Sequence, residues 1–273
     1  MHLTPELLAI GHVTNDISEG HAAIGGASSY AAITASRLGL AAAIVTSAQS
    51  DVADKLSIDY HLVPSVSTTT FRNVYQDGKR TQTVETVARR ISVKDVPAEW
   101  RTTPIVLLAP VADEIDHDVA RIFPGSLVVV LLQGWLRRWN DKGVISPCQW
   151  NGLEVLPYVD AAVVSTEDAV NCREIEIWAQ AVPSLIVTHG ENGASLHTRN
   201  RWYEVPAFDT KEIDPTGAGD VFGTAYAARF FETGDELKSA QFASAAASIS
   251  VRGKGLTAIP AREKIDRLLG QSG

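Results

Sequence analysis

Cysteine is almost missing from this chain. Only Cys148 and Cys172 occur, in no C-x-x-C pair and in no Cys/His spacing suited to zinc. Neither a disulfide framework nor a structural metal is indicated, and a reducing cytoplasm is the expected compartment. Long hydrophobic runs are missing too: the longest, at Ile105–Pro110 and Leu127–Leu132, are far too short to cross a bilayer. No basic segment precedes an apolar stretch at the N-terminus, so neither export nor a membrane anchor is expected. Positive charge is in deficit, with 24 Lys and Arg against 32 Asp and Glu and a net charge of −8, which disfavours nucleic acid as a partner. What is present is 273 residues, 45% of them hydrophobic and 21% charged, enough for one substantial core with a small excursion.

The chain is organised around Glu212-Ile213-Asp214-Pro215-Thr216-Gly217-Ala218-Gly219-Asp220-Val221-Phe222-Gly223. Two glycines open the apolar run Val221–Phe231, which has the look of a helix, and they let backbone N–H groups approach a ligand closely. That is an anion site. Asp220 falls in the first turn, where the helix dipole favours an ionised carboxylate by about 0.3–1 kcal/mol, so it is a ready base for a substrate hydroxyl. The same spacing describes an ordinary helix capped by Asp214 or Thr216, with Asp220 as a favourable first-turn acid.

The stretch Asp214-Pro215-Thr216-Gly217-Ala218-Gly219-Asp220 resembles the signature of the ribokinase-like carbohydrate kinases, the phosphofructokinase-B family. The resemblance implies a three-layer α/β/α fold with a mostly parallel central sheet and a small β-strand lid. It implies Asp220 as catalytic base and the amides of Gly217, Ala218 and Gly219 as the anion hole. It also implies ATP and Mg2+ as cofactors, with K+ as a further candidate near Asp214 and Thr216.

From the N-terminus, Leu7–Val13 has the character of a buried strand ending at Gly11, followed by Thr14-Asn15-Asp16. By itself Asp16 is equally a solvated turn residue; the resemblance makes it the acceptor of substrate hydroxyls. Gly25-Gly26 opens a small-residue helix to Gly39, a tight turn by itself and the family's second signature by resemblance. Tyr30 departs from the Asn that many sugar kinases carry there. Ala41–Thr46 is the next strand, and the segment after it, Ala48-Gln49-Ser50-Asp51, is abbreviated relative to the family. Thr68–Glu85 is a hairpin turning at Asp77-Gly78, foreign to a parallel sheet and therefore a projecting flap. One domain over 1–273 is expected, with the lid drawn from about 12–24 and 68–87 and a homodimer contact through it as the family suggests.

Beyond it, the pattern predicts strand Ile105–Ala109, helix Asp113–Phe123, strand Leu127–Gln133, strand Ala161–Ser165, helix Glu167–Ala181 and strand Ser184–Thr188. That alternation is a parallel sheet with helices on its faces, and ligands gather beyond its carboxyl strand ends. Ser165 to Asp168 stands where the family has Asn-x-x-Glu. Asp168 there keeps a carboxylate for Mg2+ through water, while on spacing alone Ser165 caps a helix. Thr188, Gly190 and Gly193 resemble the nucleotide-side turn, Lys254 and Gly255 the border of the adenine pocket. Gln133-Gly134-Trp135-Leu136-Arg137 is similar to the inositol kinase branch, which makes Gln133 and Arg137 substrate contacts.

The resemblance thus implies phosphoryl transfer from ATP to a hydroxyl of a small sugar or polyol, with myo-inositol favoured. A nucleoside kinase, with Tyr30 and the Trp135 region stacking a base, and a nucleotide- or sugar-binding sensor that has lost the chemistry are the alternatives. Gly217-x-Gly219-x-x-x-Gly223 also resembles a dinucleotide-binding pattern, but no strand is expected immediately before it.

Overall fold

The computed structural model describes residues 4–18, 20–49, 55–76, 79–169 and 171–271. The expected Asp77-Gly78 turn and the Ser50-Asp51 segment lie outside the described residues. The centre is a nine-stranded sheet in the order β15-β14-β13-β12-β9-β8-β1-β4-β5. Its strands are β1 (Leu7–Ile10), β4 (Ala42–Ala48), β5 (Asp59–Pro64), β8 (Ile105–Leu108), β9 (Leu127–Leu131), β12 (Ala161–Ser165), β13 (Ser184–Thr188), β14 (Ala194–Thr198) and β15 (Arg201–Val205). All pair in parallel except β14 and β15, which return antiparallel at one edge.

The central strands are buried on both faces, as a covered parallel sheet requires. Alternate residues divide between two cores. Leu7, Ala9, Leu107, Val129 and Val163 face one layer with Ala31, Phe222, Tyr226 and Phe242. Those four side chains come from α1 (Ala27–Arg37), α3 (Ala218–Thr233) and α4 (Glu236–Ser250), which α5 (Arg262–Gly270) follows. Leu8, Ile10, Leu108, Val130 and Val164 face the other layer, with Trp100, Phe123, Trp135 and Trp178, the last from α2 (Cys172–Ala181). This period-two division makes a three-layer α/β/α fold.

A second sheet of order β3-β2-β6-β7 is built from β2 (Thr14–Ser18), β3 (His21–Gly25), β6 (Thr69–Gln76) and β7 (Lys79–Thr86). A short hairpin, β10 (Arg137–Trp139) with β11 (Ile145–Pro147), completes the strands. Its turn touches β7, where Val84 N–H donates to the Gly143 carbonyl at 2.9 Å.

Three sequence expectations are corrected. No α-helix forms over 113–123; only a 3-10 turn at His117–Arg121 does. Asp113 takes a left-handed φ of 53°, and the amides that would start a helix are spent elsewhere, Val111 and Ala112 on the Glu114 carboxylate and Asp113 on the Gly134 carbonyl. The helix expected from Glu167 starts at Cys172, because Ser165 Oγ holds Glu167 N–H at 3.1 Å in a tight turn and Asn171 is the side chain that caps the helix. The strand expected to reach Gln133 stops at Leu131 and passes into a 3-10 turn over Leu132–Leu136. Gly134 there runs so close to β8's exit that a Cβ would meet the Pro110 carbonyl carbon at 2.2 Å.

Candidate active site

The site is built where strand ends meet the start of α3. β1 leads through Gly11 and His12 into the second sheet, and this root is held by a buried carboxylate. Glu114, fully buried, accepts from the N–H groups of His12 (3.0 Å), Val111 (3.0 and 2.9 Å) and Ala112 (2.7 Å). Buried charge is tolerable when hydrogen-bonded this fully. The His12 ring is buried too, between the Arg89 carbonyl at 2.9 Å and Thr69 Oγ1 at 2.7 Å. The ends of β1 and β8 and the base of the β6–β7 hairpin are thereby tied together.

Asp16 lies on β2, its Oδ1 accepting from Thr14 Oγ1 at 2.8 Å. Gly25 closes β3 opposite Thr14, and Gly26, at φ 91°, crosses so near the His12 carbonyl that a Cβ would come to 2.2 Å of its oxygen. Gly26 is needed for this close passage of backbones, and Gly25 leaves room for the Asp16 and Thr14 side chains. They lead directly into α1, where Ser29 Oγ donates back to the Gly25 carbonyl at 2.7 Å.

Gln133, Arg137 and Asp168 converge from two other strand ends. Gln133 Nε2 donates to Asp168 Oδ2 at 3.0 Å, and Arg137 Nη2 stands 3.5 Å from Asp168 Oδ1, with both charged side chains largely buried. Ser165 and Thr188 are paired neighbours at the ends of β12 and β13. Gly190 belongs to the 3-10 turn that follows, and Gly193 closes it against β15, where a Cβ would lie 2.2 Å from the Val205 oxygen.

The loop before α3 is held from its far side. Asp214 Oδ1 accepts from Thr216 N–H at 3.0 Å and Oδ2 from Gly255 N–H at 3.3 Å, joining this loop to the segment that carries Lys254. Gly217 is the residue before α3, in the left-handed region at φ 80°, and no side chain caps the helix. The capping role expected of Asp214 or Thr216 is therefore corrected: Asp214 bonds Thr216 instead of the helix amides. Ala218 N–H bonds the Pro215 carbonyl, and Val221 N–H bonds that of Gly217. The N–H groups of Gly219 and Asp220 have no hydrogen-bond partner among the described residues. Two uncapped amides at a helix N-terminus are ready donors to an anion.

Asp220 stands beside them. Burial pushes its carboxyl from 3.8 up to about 7; Arg137 pulls in the opposite direction, while Asp168 and Asp16 add to the rise. The rise amounts to several times the ~0.3–1 kcal/mol of a helix dipole, so the dipole does not decide its charge as the sequence suggests. A carboxyl half-ionised near neutrality suits general-base work better than a strong acid does.

Asp16, Gln133, Arg137, Asp168 and Asp220 thus come together, with the Gly217–Gly219 turn beside them. Trp135 does not take part. It is 2% exposed, its indole N–H bonds the Ile115 carbonyl at 3.2 Å, and its ring stacks on Trp150 at 5.1 Å, so it has no face for a substrate base. On the far side of the loop an open cleft of about 560 Å³ is lined by Asp209, Thr210, Lys211, Ile213 and Arg252. Arg252 is fixed there by Thr210 Oγ1 at 2.7 Å. Sequence reasoning missed Arg252, although it lies two residues before Lys254. It also missed Glu114, whose neighbourhood gives no signal that the acid turns inward.

The fold is shared with solved ribokinase-like structures. It superposes on ribokinase of Arabidopsis thaliana complexed with ribose and ATP with a TM-score of 0.76, at 20% identity, over 98% of this chain and 99% of that one. It superposes on a pyrophosphate-dependent myo-inositol-1 kinase converted by two substitutions into a myo-inositol-3 kinase, with a TM-score of 0.80, at 22% identity, over 97% and 99%. In sequence, the deoxyribokinase of Salmonella typhi is 33% identical over 107 residues, 39% of this chain; the match spans only 35% of that enzyme's length. The model of the pfkB family carbohydrate kinases matches residues 124–263, and the chain belongs to that family.

Proposed function

We propose that this protein transfers a phosphoryl group from ATP to a hydroxyl of a small sugar or polyol, with myo-inositol the favoured acceptor. The carrying observation is Asp220, poised near neutrality by burial and set beside the two unpartnered amides of Gly219 and Asp220. In this reading Asp16 and Gln133 orient the acceptor, Asp220 takes the proton of the reacting hydroxyl, and the amides hold charge developing on the phosphoryl oxygens, each well-placed donor being worth about 2.7–4 kcal/mol. The second sheet closes as a lid and keeps out water that would otherwise be phosphorylated.

Mg2+ fits the donor set in one way. Both oxygens of Asp168 are engaged, by Gln133 and Arg137, and no cluster of three acidic, His or Cys groups stands ready among the described residues. Mg2+ characteristically keeps several waters, so Asp168 would hold it through water, and the ion would neutralise the donor's phosphates. Asp214 accepts one amide on each oxygen, which leaves lone pairs for K+ beside Thr216.

One observation favours a second donor. The cleft beside the anion loop is lined by two cationic side chains, Lys211 and Arg252, against one carboxylate, Asp209, with Thr210 and with Ile213 as its one large apolar side chain, a lining better matched to pyrophosphate than to an adenine ring. The superposable myo-inositol-1 kinase is pyrophosphate-dependent by its description.

The test is product formation with ATP or pyrophosphate and Mg2+ across sugars, myo-inositol and nucleosides, run beside Asp220→Asn. Transfer to one acceptor, reduced about 10²–10⁴-fold in the variant, is expected. Near-wild-type turnover in Asp220→Asn refutes the mechanism. Donor binding without transfer to any acceptor favours a sensor.

A further inference from the structure

Tyr30 occupies a junction that the proposed chemistry leaves unexplained. It lies in the first turn of α1, its N–H bonded to the Gly26 carbonyl at 3.2 Å. Its side chain runs inward and leaves the residue 5% exposed. The ring abuts Gly217: a Cβ on that glycine would fall 2.1 Å from Cε1, 2.2 Å from Cδ1 and 2.6 Å from Cζ. The hydroxyl reaches the next loop, 4.0 Å from where a Cβ on Gly255 would stand. One aromatic side chain therefore adjoins the diglycine turn, the anion loop and the loop after α4.

Of these segments the anion loop has the least bracing of its own where it enters α3. Gly217 holds a left-handed φ with no side chain of its own to brace it, and no capping side chain fixes the start of α3. Glycine is the residue with most freedom to leave such a conformation. The ring supplies the missing wall, a close-packed surface on which dispersion contacts accumulate. The unpartnered amides of Gly219 and Asp220 follow within three residues, and misplacement by about 1 Å at such a site costs on the order of 10²-fold in rate.

We infer that Tyr30 is a positioning residue that holds the anion loop in register with the diglycine turn and the Lys254 loop, coupling the seating of the acceptor to that of the phosphate donor. It acts through Gly217, not by touching substrate, since almost none of its surface is open. Its kinetic consequence rests on the phosphoryl-transfer reading; its effect on anion binding does not.

The experiment compares wild type with Tyr30→Phe, Tyr30→Ala and a control, Ile265→Ala, which removes a buried side chain from α5 away from the loops. Inorganic pyrophosphate binding is read by calorimetry, and turnover by product formation at a temperature where every variant is folded. Tyr30→Phe, which keeps the ring against Gly217 and loses only the hydroxyl that reaches the Gly255 loop, is expected to lose less in both than Tyr30→Ala. Tyr30→Ala is expected to bind pyrophosphate at least tenfold more weakly and to lose 10- to 100-fold in kcat, with acceptor KM within threefold. Ile265→Ala should lose thermal stability without either change. Should Tyr30→Ala fail to fold, Tyr30→Leu is judged by the same criteria. Wild-type pyrophosphate affinity and kcat in the folded variant overturn the inference, as does the same loss in the control; a rise in acceptor KM alone makes Tyr30 a substrate contact. If the wild type transfers phosphate to no acceptor, the kinase reading fails, and pyrophosphate binding alone decides the role of Tyr30.

Discussion

Asp16 fills the space that Gly25 leaves open: a Cβ on Gly25 would lie 2.1 Å from Asp16 Oδ2 and 2.6 Å from its Cγ. The carboxylate on β2 is therefore aimed by the missing side chain on β3. Gly25→Ala should turn Asp16 away and raise acceptor KM about tenfold, for an overpacking cost of about 1–3 kcal/mol in stability. Steady-state kinetics check this, and an unchanged KM would detach Asp16 from the acceptor.

The raised carboxyl of Asp220 gives a pH dependence with a definite sign. A base must be ionised, so kcat/KM should fall as pH drops through about 7. For stability the sign is opposite. The fold favours the protonated form, so this contribution is fully present below the unfolded value near 3.8 and is lost as pH rises through about 7. Asp220→Asn, which carries no such proton, should gain stability relative to wild type between pH 5 and 8. Urea midpoints at the two pH values measure it.

Arg137 opposes the rise at Asp220 and pairs with Asp168. Arg137→Met should move the lower limb of the kcat/KM profile to higher pH and cut activity at pH 7 by about fivefold for one displaced unit, since the ionised share of the base then falls from about one half to about one eleventh. A profile unmoved on the pH axis would separate Arg137 from the base.

Glu114 should carry stability without taking part in turnover. Removing a charged acceptor that satisfies the buried N–H groups of His12, Val111 and Ala112 leaves donors unpaired, and Glu114→Ala should cost about 3–5 kcal/mol by denaturant unfolding. A loss under about 1 kcal/mol would mean that water replaces the carboxylate.

The parallel sheet was legible because period and turn chemistry agree along β8, β9, β12 and β13, and the start of α3 because Gly217 and Gly219 mark a turn into the apolar run that follows. What escaped the sequence depends on distance in space. Asp113–Phe123 has helical periodicity, yet the side chain of Glu114 captures the amides a helix needs. Tyr30 stood out as a departure from the family, but its contact with Gly217 spans 187 positions along the chain and leaves no local trace. The charge of Asp220 escaped for a similar reason: the helix dipole is local, while the burial that outweighs it, and the charges of Asp16, Arg137 and Asp168 around it, come from segments far away in sequence.

The two edges of the second sheet are not equivalent. β7 is closed off by the Gly143 turn, through the bond to Val84 and a bridge between Thr83 and Val144. Beyond β3 no strand pairs among the described residues. With β7 covered, β3 is the one edge of this sheet, among the described residues, at which a further strand has room to pair.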